Sequence, residues 1–279
     1  MKHLADRFGV DLCTPQVMAI VNVTPDSFYA ASRLEDETQL VQRVAQAVAD
    51  GASILDIGGY STRPGATDVS PDEEWRRVER GLRAVREVSK SAAVSIDTFR
   101  AEVAERALEI DDRVIINDIS GGDADPRIVE VVADAGVPFV AMHMRGTPAT
   151  MQSMTDYEDV VVDVAEELRH KAEYLIARGI ASDRLILDPG FGFAKSVEQN
   201  FRLLSHLDRI CALGFPVLVG VSRKSMIYKT LDITPEESLA GTTALNWEAL
   251  RQGATILRVH DVREAVQTVR LFGEFERNR

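Results

Sequence analysis

This chain is poor in cysteine, in aromatic residues and in positive charge. It contains 2 cysteines and 2 tryptophans, and aromatic residues make up 6% of its 279 residues. The cysteines, Cys13 and Cys211, are too few and too isolated to suggest a disulfide framework or a CxxC metal site. We therefore expect two reduced, chemically inert thiols.

Acidic residues outnumber basic ones. The sequence has 32 lysines and arginines against 44 aspartates and glutamates, which gives a formal net charge of -12 at pH 7. Such a protein repels polyanions on average, so we expect neither nucleic acid nor an anionic membrane as a partner. A few cations gathered in one cleft would still select a small anion, and the candidates are Arg63, Lys224, Arg258 and His260.

Long apolar runs and nucleotide-binding loops are also missing. No stretch reaches the roughly 18 to 20 apolar residues of a membrane-spanning helix, and the first residues lack the apolar core of a signal peptide. We expect a soluble, cytoplasmic protein. The turn after the first apolar run has no GxGxxG fingerprint, and no segment resembles a Walker phosphate loop.

Eight apolar runs rich in β-branched residues predict eight strands. They are continuous rather than alternating, as expected for parallel strands that are covered on both faces. With 45% hydrophobic residues, the chain can bury one large core, and an α/β barrel of about 250 residues would take nearly all of it. We predict a single (β/α)8 TIM barrel domain over residues 1–279; a doubly wound open sheet and two small domains are the alternatives. The runs are Val17–Val23, Ser53–Ile57, Ala93–Ile96, Val114–Asn117, Pro138–Met142, Arg184–Leu187, Pro216–Val219 and Thr255–Val259.

Helix starts are predicted at three places between these runs. Ser70-Pro71 and Thr234-Pro235 each combine a hydroxyl cap with a proline at the first helical position, and a glutamate that can close a capping box follows. Asp261 offers a similar start.

Each predicted strand ends in polar residues, and in a barrel these ends meet at one mouth. Taken singly, each has a purely structural explanation: Asp97 could cap a helix, Asp188 could be a turn residue, and His143 could be a hydrogen-bonded core histidine. Together they exceed what strand termination requires, because buried polar groups are costly unless partnered. The residues are Asn22, Asp26, Asp56, Thr62, Arg63, Asp97, Asn117, Asp118, His143, Asp188, Ser222, Arg223, Lys224, Arg258 and His260.

The residue types divide into two kinds of site. Asn22, Arg63, Arg258 and His260 suit a phosphate or diphosphate, with an amide oxygen able to ligate Mg²⁺. The second kind of site would bind a flat, nitrogen-rich heterocycle, because a carboxylate can accept hydrogen bonds from paired N–H donors. The carboxylates and the amide that suit it are Asp97, Asn117 and Asp188. Lys224 could donate to the carbonyl of that ring, and Phe193 could cover its face or serve only for packing.

Seven motifs in order resemble the dihydropteroate synthase family over nearly the whole length. They are NVTPDSF, LDIGGYSTRPG, SIDT, IINDISGG, DPGFGF, GVSRKS and RVHDV, which begin at Asn22, Leu55, Ser95, Ile115, Asp188, Gly220 and Arg258. The resemblance implies a (β/α)8 barrel, usually dimeric, that joins 7,8-dihydropterin-6-ylmethyl diphosphate to p-aminobenzoate. The products would be 7,8-dihydropteroate and diphosphate, on the folate pathway.

The resemblance also implies roles for individual residues. Asn22 would ligate a Mg²⁺ ion bound to the diphosphate, and Arg63, Arg258 and His260 would contact the diphosphate oxygens. Catalytic roles would fall on Asp97, Lys224, Arg258 and His260. The pterin pocket would consist of Asp97, Asn117, Met142, Asp188, Phe193 and Lys224, and the p-aminobenzoate site of Thr62, Pro64, Ser222 and Lys224. Gly220 would also contact a substrate.

Two loops depart from the common family pattern. The segment Thr24–Arg33, which would form a lid, continues as Tyr29-Ala30-Ala31 where a glycine pair is common, and Tyr60 stands where glutamate is common. Two alternatives to the synthase therefore stay open. One is a pterin-dependent methyltransferase, which would not need the STRPG, SRKS and RVH motifs together, and the other is a catalytically silent pterin-binding homologue.

Overall fold

The eight predicted strands are confirmed in a computed structural model of the chain, which describes residues 7–23, 33–60 and 68–279. Their observed bounds differ from the predicted runs by no more than two residues at either end. The strands are β1 Gln16–Asn22, β2 Ile54–Gly58, β3 Ala93–Asp97, β4 Ile115–Asp118, β5 Phe139–Met142, β6 Leu185–Asp188, β7 Leu218–Val219 and β8 Ile256–Val259.

All eight strands belong to one parallel sheet in the order β6-β5-β4-β3-β2-β1-β8-β7. A single bridge between Leu187 and Val217 joins the two outer strands and closes the barrel. The Leu187 N–H donates to the Pro216 carbonyl at 2.9 Å at this seam. The predicted (β/α)8 TIM barrel is thus confirmed.

Continuous apolar runs form these strands because both faces of the sheet are covered. Every residue of β2, β4, β5 and β6 is buried. Phe139 and Ile116 are completely inaccessible to solvent, as expected where helices cover the outside and side chains fill the inside.

Helices follow the strands around the barrel, and none of those in the described part of the chain is long and apolar enough to cross a membrane. The predicted start at Pro71 is confirmed, because the Ser70 side chain accepts the Glu73 N–H. The helices are α1 Arg33–Ala49, α2 Pro71–Val88, α3 Ala101–Ile110, α4 Arg127–Ala135, α5 Val160–Ala177, α6 Val197–Ser205, α7 Asp208–Cys211, α8 Ser225–Leu231, α9 Leu239–Arg251 and α10 Val262–Arg277.

The predicted helix start at Thr234-Pro235 is wrong. The Glu237 carboxylate does accept the Thr234 N–H at 2.9 Å, but this contact closes an isolated turn, and α9 begins only at Leu239. At Asp261 the start is confirmed without the expected cap. The Asp261 carboxylate instead accepts hydrogen bonds from Arg223, the nearer at 2.5 Å, because this arginine lies within reach across the rim of the barrel.

Candidate active site

A buried ion cluster connects four strands, β2, β3, β4 and β8, at the mouth of the barrel. Arg258 on β8 donates from Nε to Asp56 Oδ2 at 2.7 Å and from Nη2 to Asp97 Oδ2 at 2.6 Å. Asn117 on β4 donates to both Asp56 oxygens, at 3.3 and 3.4 Å. Arg258 thus contacts Asp97 directly and is joined to Asn117 through Asp56, which was predicted at the mouth but was given no role in binding or catalysis.

Burial and neighbouring charges oppose each other in this cluster. Burial raises the pKa of Asp97 to about 7, and the adjacent Arg258 limits the shift while Asp56 adds to it. Burial also disfavours the Arg258 cation, but Asp56 and Asp97 outweigh that effect and hold its pKa above the ordinary arginine value. Arg258 is thus a fixed positive charge, whereas Asp97 can change its charge near neutral pH.

Asn22 lies beside Asp97 because residue 58 between them has no side chain. In the sheet register Gly58 pairs with Asn22 on one side and with Asp97 on the other. A Cβ atom added to Gly58 would lie 3.3 Å from Asn22 Oδ1 and 3.6 Å from Asp97 Oδ2. The glycine therefore leaves a small cradle lined by an amide oxygen and a carboxylate. Arg43 on α1 supports it by donating to the Asn22 carbonyl at 3.2 Å.

A second polar group lies at the end of β6. Asp188 is buried and accepts the Gly190 N–H at 2.7 Å; burial raises its pKa, and Lys224 opposes the shift. Lys224 donates to the Phe191 carbonyl, and its ammonium lies 4.6 Å from the centre of the Phe193 ring. Burial lowers the pKa of Lys224 to about 8, although Asp188 acts against that shift. Carboxylate, ammonium and aromatic ring are thus held together, as predicted.

The remaining described site residues lie on the same rim. Ser222 Oγ is 3.0 Å from His260 Nδ1 and accepts the His260 N–H at 3.2 Å. Met142 pairs with Asp188 in the sheet register, and a Cβ atom on Gly220 would be 3.8 Å from Arg258 Cβ. The predicted Thr62, Arg63 and Pro64 lie outside the described residues, as do residues 24–32 of the predicted lid Thr24–Arg33.

Sequence reasoning missed a buried carboxylate behind Asp97. Glu74 on α2 is inaccessible to solvent, accepts from Thr98 Oγ1 at 2.6 Å and accepts from Arg100 Nη1 at 2.8 Å. Arg100 also contacts Asp68 at 3.3 Å and lies 5.3 Å from the centre of the Tyr60 ring. It therefore contacts the described residues on both sides of 61–67. Glu74 lies in a helix of charged residues, so its spacing gave no sign of a buried role.

The fold and this mouth define an α/β-barrel enzyme, and comparison with known proteins agrees. A family model described as pterin binding enzyme matches residues 18–260. Dihydropteroate synthase of Escherichia coli K12 is 40% identical over 271 residues, which cover 97% of this chain and 95% of that protein. The chain belongs to the dihydropteroate synthase family of pterin-binding enzymes.

Solved structures support the same assignment. The Yersinia pestis dihydropteroate synthase in complex with a sulfonamide drug is 39% identical, with a TM-score of 0.89 and coverage of 96% of both chains. The Xanthomonas albilineans enzyme with 4-aminobenzoic acid is 39% identical, with a TM-score of 0.88 and coverage of 96% of this chain and 95% of that one.

Proposed function

We propose that this chain, acting as one barrel domain, condenses 7,8-dihydropterin-6-ylmethyl diphosphate with p-aminobenzoate. The products are 7,8-dihydropteroate and diphosphate, a step of folate biosynthesis. The observation that carries the proposal is the meeting of Asp97, Asn117 and Arg258 in one buried cluster, in a chain that belongs to the dihydropteroate synthase family. Dihydropteroate should form only when both substrates are supplied, which a chromatographic product assay measures.

In the proposed mechanism the pterin ring binds between the two polar groups of the mouth. At the nitrogen-rich edge of the ring, Asp188 accepts hydrogen bonds and the Asn117 amide accepts or donates them. Lys224 donates to the ring carbonyl. Met142, Phe193 and the backbone at Gly220 line the ring. This division follows from chemistry: a carboxylate accepts paired N–H donors, and an ammonium can only donate.

The bond from the pterin methylene carbon to the diphosphate oxygen then breaks, and its electron pair leaves with the diphosphate. Arg258, His260 and Arg63 neutralise the leaving group, and the Asp97 carboxylate stabilises the methylene cation. The amine lone pair of p-aminobenzoate forms the new C–N bond, after which the nitrogen loses a proton to solvent water. Thr62, Pro64 and Ser222 hold the aminobenzoate. No covalent bond to the enzyme is needed.

We propose that Mg²⁺ accompanies the diphosphate and is held by Asn22. In the described part of the chain no group of three or more histidine, cysteine, aspartate or glutamate residues could hold a metal ion. The cradle at Gly58 nevertheless fits the usual mode of Mg²⁺, which takes one or two protein oxygens and completes its shell with substrate phosphates and water. When bound, the ion supplies positive charge to the leaving group.

Chelation with EDTA should therefore abolish activity, and excess Mg²⁺ should restore it. Asn22→Ala should raise the Mg²⁺ concentration needed for half-maximal rate by about tenfold, since one oxygen ligand is lost. Activity assays across a magnesium titration measure this. Unchanged activity in EDTA would exclude the metal, and an unchanged magnesium requirement in the variant would exclude Asn22 as its ligand.

A sulfonamide should compete with p-aminobenzoate if the aminobenzoate site has been placed correctly. The Yersinia pestis relative was solved with such a drug. Initial rates at several concentrations of both compounds should show an apparent KM for p-aminobenzoate that rises with the sulfonamide concentration, while the maximal rate stays the same. A sulfonamide that inhibits without affecting the apparent KM for p-aminobenzoate would count against the assigned site.

We also propose a homodimer that works in the cytoplasm. Cys211 is a half-buried free cysteine, and burial raises the pKa of its thiol to about 11. A protonated, unreactive thiol of this kind suits the reducing cytoplasm. We place its interface on the two late amphipathic helices α9 and α10. On α10, exposed apolar side chains are found: Leu271 is 65% and Phe275 is 56% exposed. Such a patch is typical of a protein contact. Light scattering should give twice the 30.8 kDa mass of one chain, whereas the mass of one chain would contradict the proposal.

A further inference from the structure

A buried lysine lies behind the turn that follows Asp188. Lys195 is only 5% exposed. Its ammonium nitrogen is 3.0 Å from His143 Nδ1 and 3.1 Å from each of two backbone carbonyl oxygens, those of Gly190 and Phe193. A buried ammonium is costly unless its donors are satisfied, and these contacts match its three N–H groups with three acceptors.

The acceptor role of His143 Nδ1 determines the state of the imidazole. The ring must then carry its proton on Nε2, which lies 2.9 Å from Glu167 Oε2 and donates to it. Burial lowers the pKa of His143 to about 4, so the ring is neutral at pH 7. Arg145 in turn binds Glu167, with Nε 3.1 Å from Oε1. The side chains of Glu167, His143 and Lys195 therefore form one hydrogen-bonded chain from the surface to the back of the pocket.

The backbone is strained directly after the turn that Lys195 holds. Ala194, inside the core, has φ of 48°, a backbone conformation that side-chain-bearing residues rarely adopt. Such a conformation persists only where tertiary contacts enforce it, and Lys195 binds the carbonyls at both ends of the Gly190–Phe193 turn. The same turn supplies the Phe193 ring and the Phe191 carbonyl that contact Lys224.

We propose that Lys195 is a positioning residue for pterin binding, which fixes the Gly190–Phe193 turn and supplies positive charge behind Asp188 without touching the substrate. This inference rests on the proposed function. Burial lowers the pKa of Lys195 to about 7. The charges of Asp188 and Glu167 favour its cation, and those of Lys224 and Arg145 oppose it. Glu167 thus stabilises the charge of Lys195 through His143.

Lys195→Met tests the proposal, with Lys90→Met at an exposed loop position as the matched control. Calorimetric titration with 6-hydroxymethylpterin should show binding weakened by about tenfold or more, since charged hydrogen bonds are lost. The KM for the pterin diphosphate should rise by a similar factor while that for p-aminobenzoate stays within about twofold. A lysine needed only for folding would lower the active fraction and leave both affinities unchanged, and that result would overturn the proposal.

Glu167→Gln provides a second test in case Lys195→Met does not fold. Glu167 is 41% exposed, and the glutamine oxygen can still accept from His143, whereas the negative charge and its ion pair with Arg145 are lost. Pterin binding should weaken by roughly threefold, because the Lys195 cation loses one of the two negative charges that favour it. Unchanged pterin binding would overturn the claim that Glu167 acts on the pterin site through His143 and Lys195. Because pterin titration needs no turnover, a wild-type protein that binds pterin without making dihydropteroate would contradict the proposed function alone.

Discussion

Asp97→Asn should lower kcat/KM for the pterin diphosphate by about 30- to 1000-fold, which corresponds to roughly 2 to 4 kcal/mol of transition-state stabilisation. The reason is that asparagine keeps the size of the side chain but cannot carry the negative charge that stabilises the methylene cation. Asp97 is held 2.6 Å from Arg258, so the carboxylate is already in place before the reaction. Steady-state kinetics with both substrates measure the effect.

The matched control is Asp112→Asn, because the Asp112 side chain is 79% exposed and lies on the turn that leads into β4, at the opposite end of the barrel. This variant should stay within about twofold of wild type. Near-normal kcat/KM in Asp97→Asn would require the proposed role of Asp97 to be abandoned.

The pH dependence of activity tests the role of Asp97 independently. Burial raises the pKa of Asp97 to about 7, so the carboxyl is protonated and neutral below that pH and ionised above it. Activity of the wild-type enzyme should therefore rise as the pH increases through about 7. The Asp97→Asn variant should lack this rise, and a rise of the same size at the same pH in the variant would assign it to another group.

Arg258→Met should reduce the free energy of unfolding by roughly 3 to 5 kcal/mol and also abolish most activity. Asp56 is inaccessible to solvent, and its contacts in the cluster are to Arg258 and to the Asn117 amide. Without the guanidinium, Asp56 and Asp97 would share one buried site, and no other described residue forms an ion pair with either of them. Urea denaturation followed by circular dichroism measures the loss.

Two further variants make that result interpretable. Arg263→Met removes an ion pair to Asp50 whose arginine is 64% exposed, and it should change the stability by less than about 1 kcal/mol. Adding Asp56→Asn to Arg258→Met should recover part of the loss, because the unpaired charge is gone. Equal losses in the single and double variants would show that lost packing, rather than an unpaired carboxylate, causes the destabilisation.

The barrel could be predicted from the sequence because a parallel sheet covered on both faces leaves a strong local signal. Each strand is a continuous apolar run, and the polar residue that ends it is adjacent in the sequence. Helix starts were harder to predict. Ser70-Pro71 does begin a helix, but the similar Thr234-Pro235 segment closes only a turn, since a capping pattern specifies local hydrogen bonds and not the length of the helix that follows.

The partnerships inside the site could not be predicted, because they join residues that are distant in the sequence. Asp56 contacts Asn117 across 61 positions and Arg258 across 202. No local pattern distinguishes such a carboxylate from one that ends a strand. His143 was left open between a site residue and a hydrogen-bonded core histidine, and it is buried and bonded as the second interpretation expects. Lys195 follows the DPGFGF motif closely, but its role depends on the path of the backbone through Ala194.

The most direct test of the proposed function is one reaction that contains the purified protein, Mg²⁺, the pterin diphosphate and isotopically labelled p-aminobenzoate. We predict that labelled 7,8-dihydropteroate and diphosphate form in equal amounts, and that omission of either substrate prevents product formation. A protein that binds the pterin but forms no labelled dihydropteroate would contradict the proposal and would instead indicate a silent pterin-binding homologue or a pterin-dependent methyltransferase.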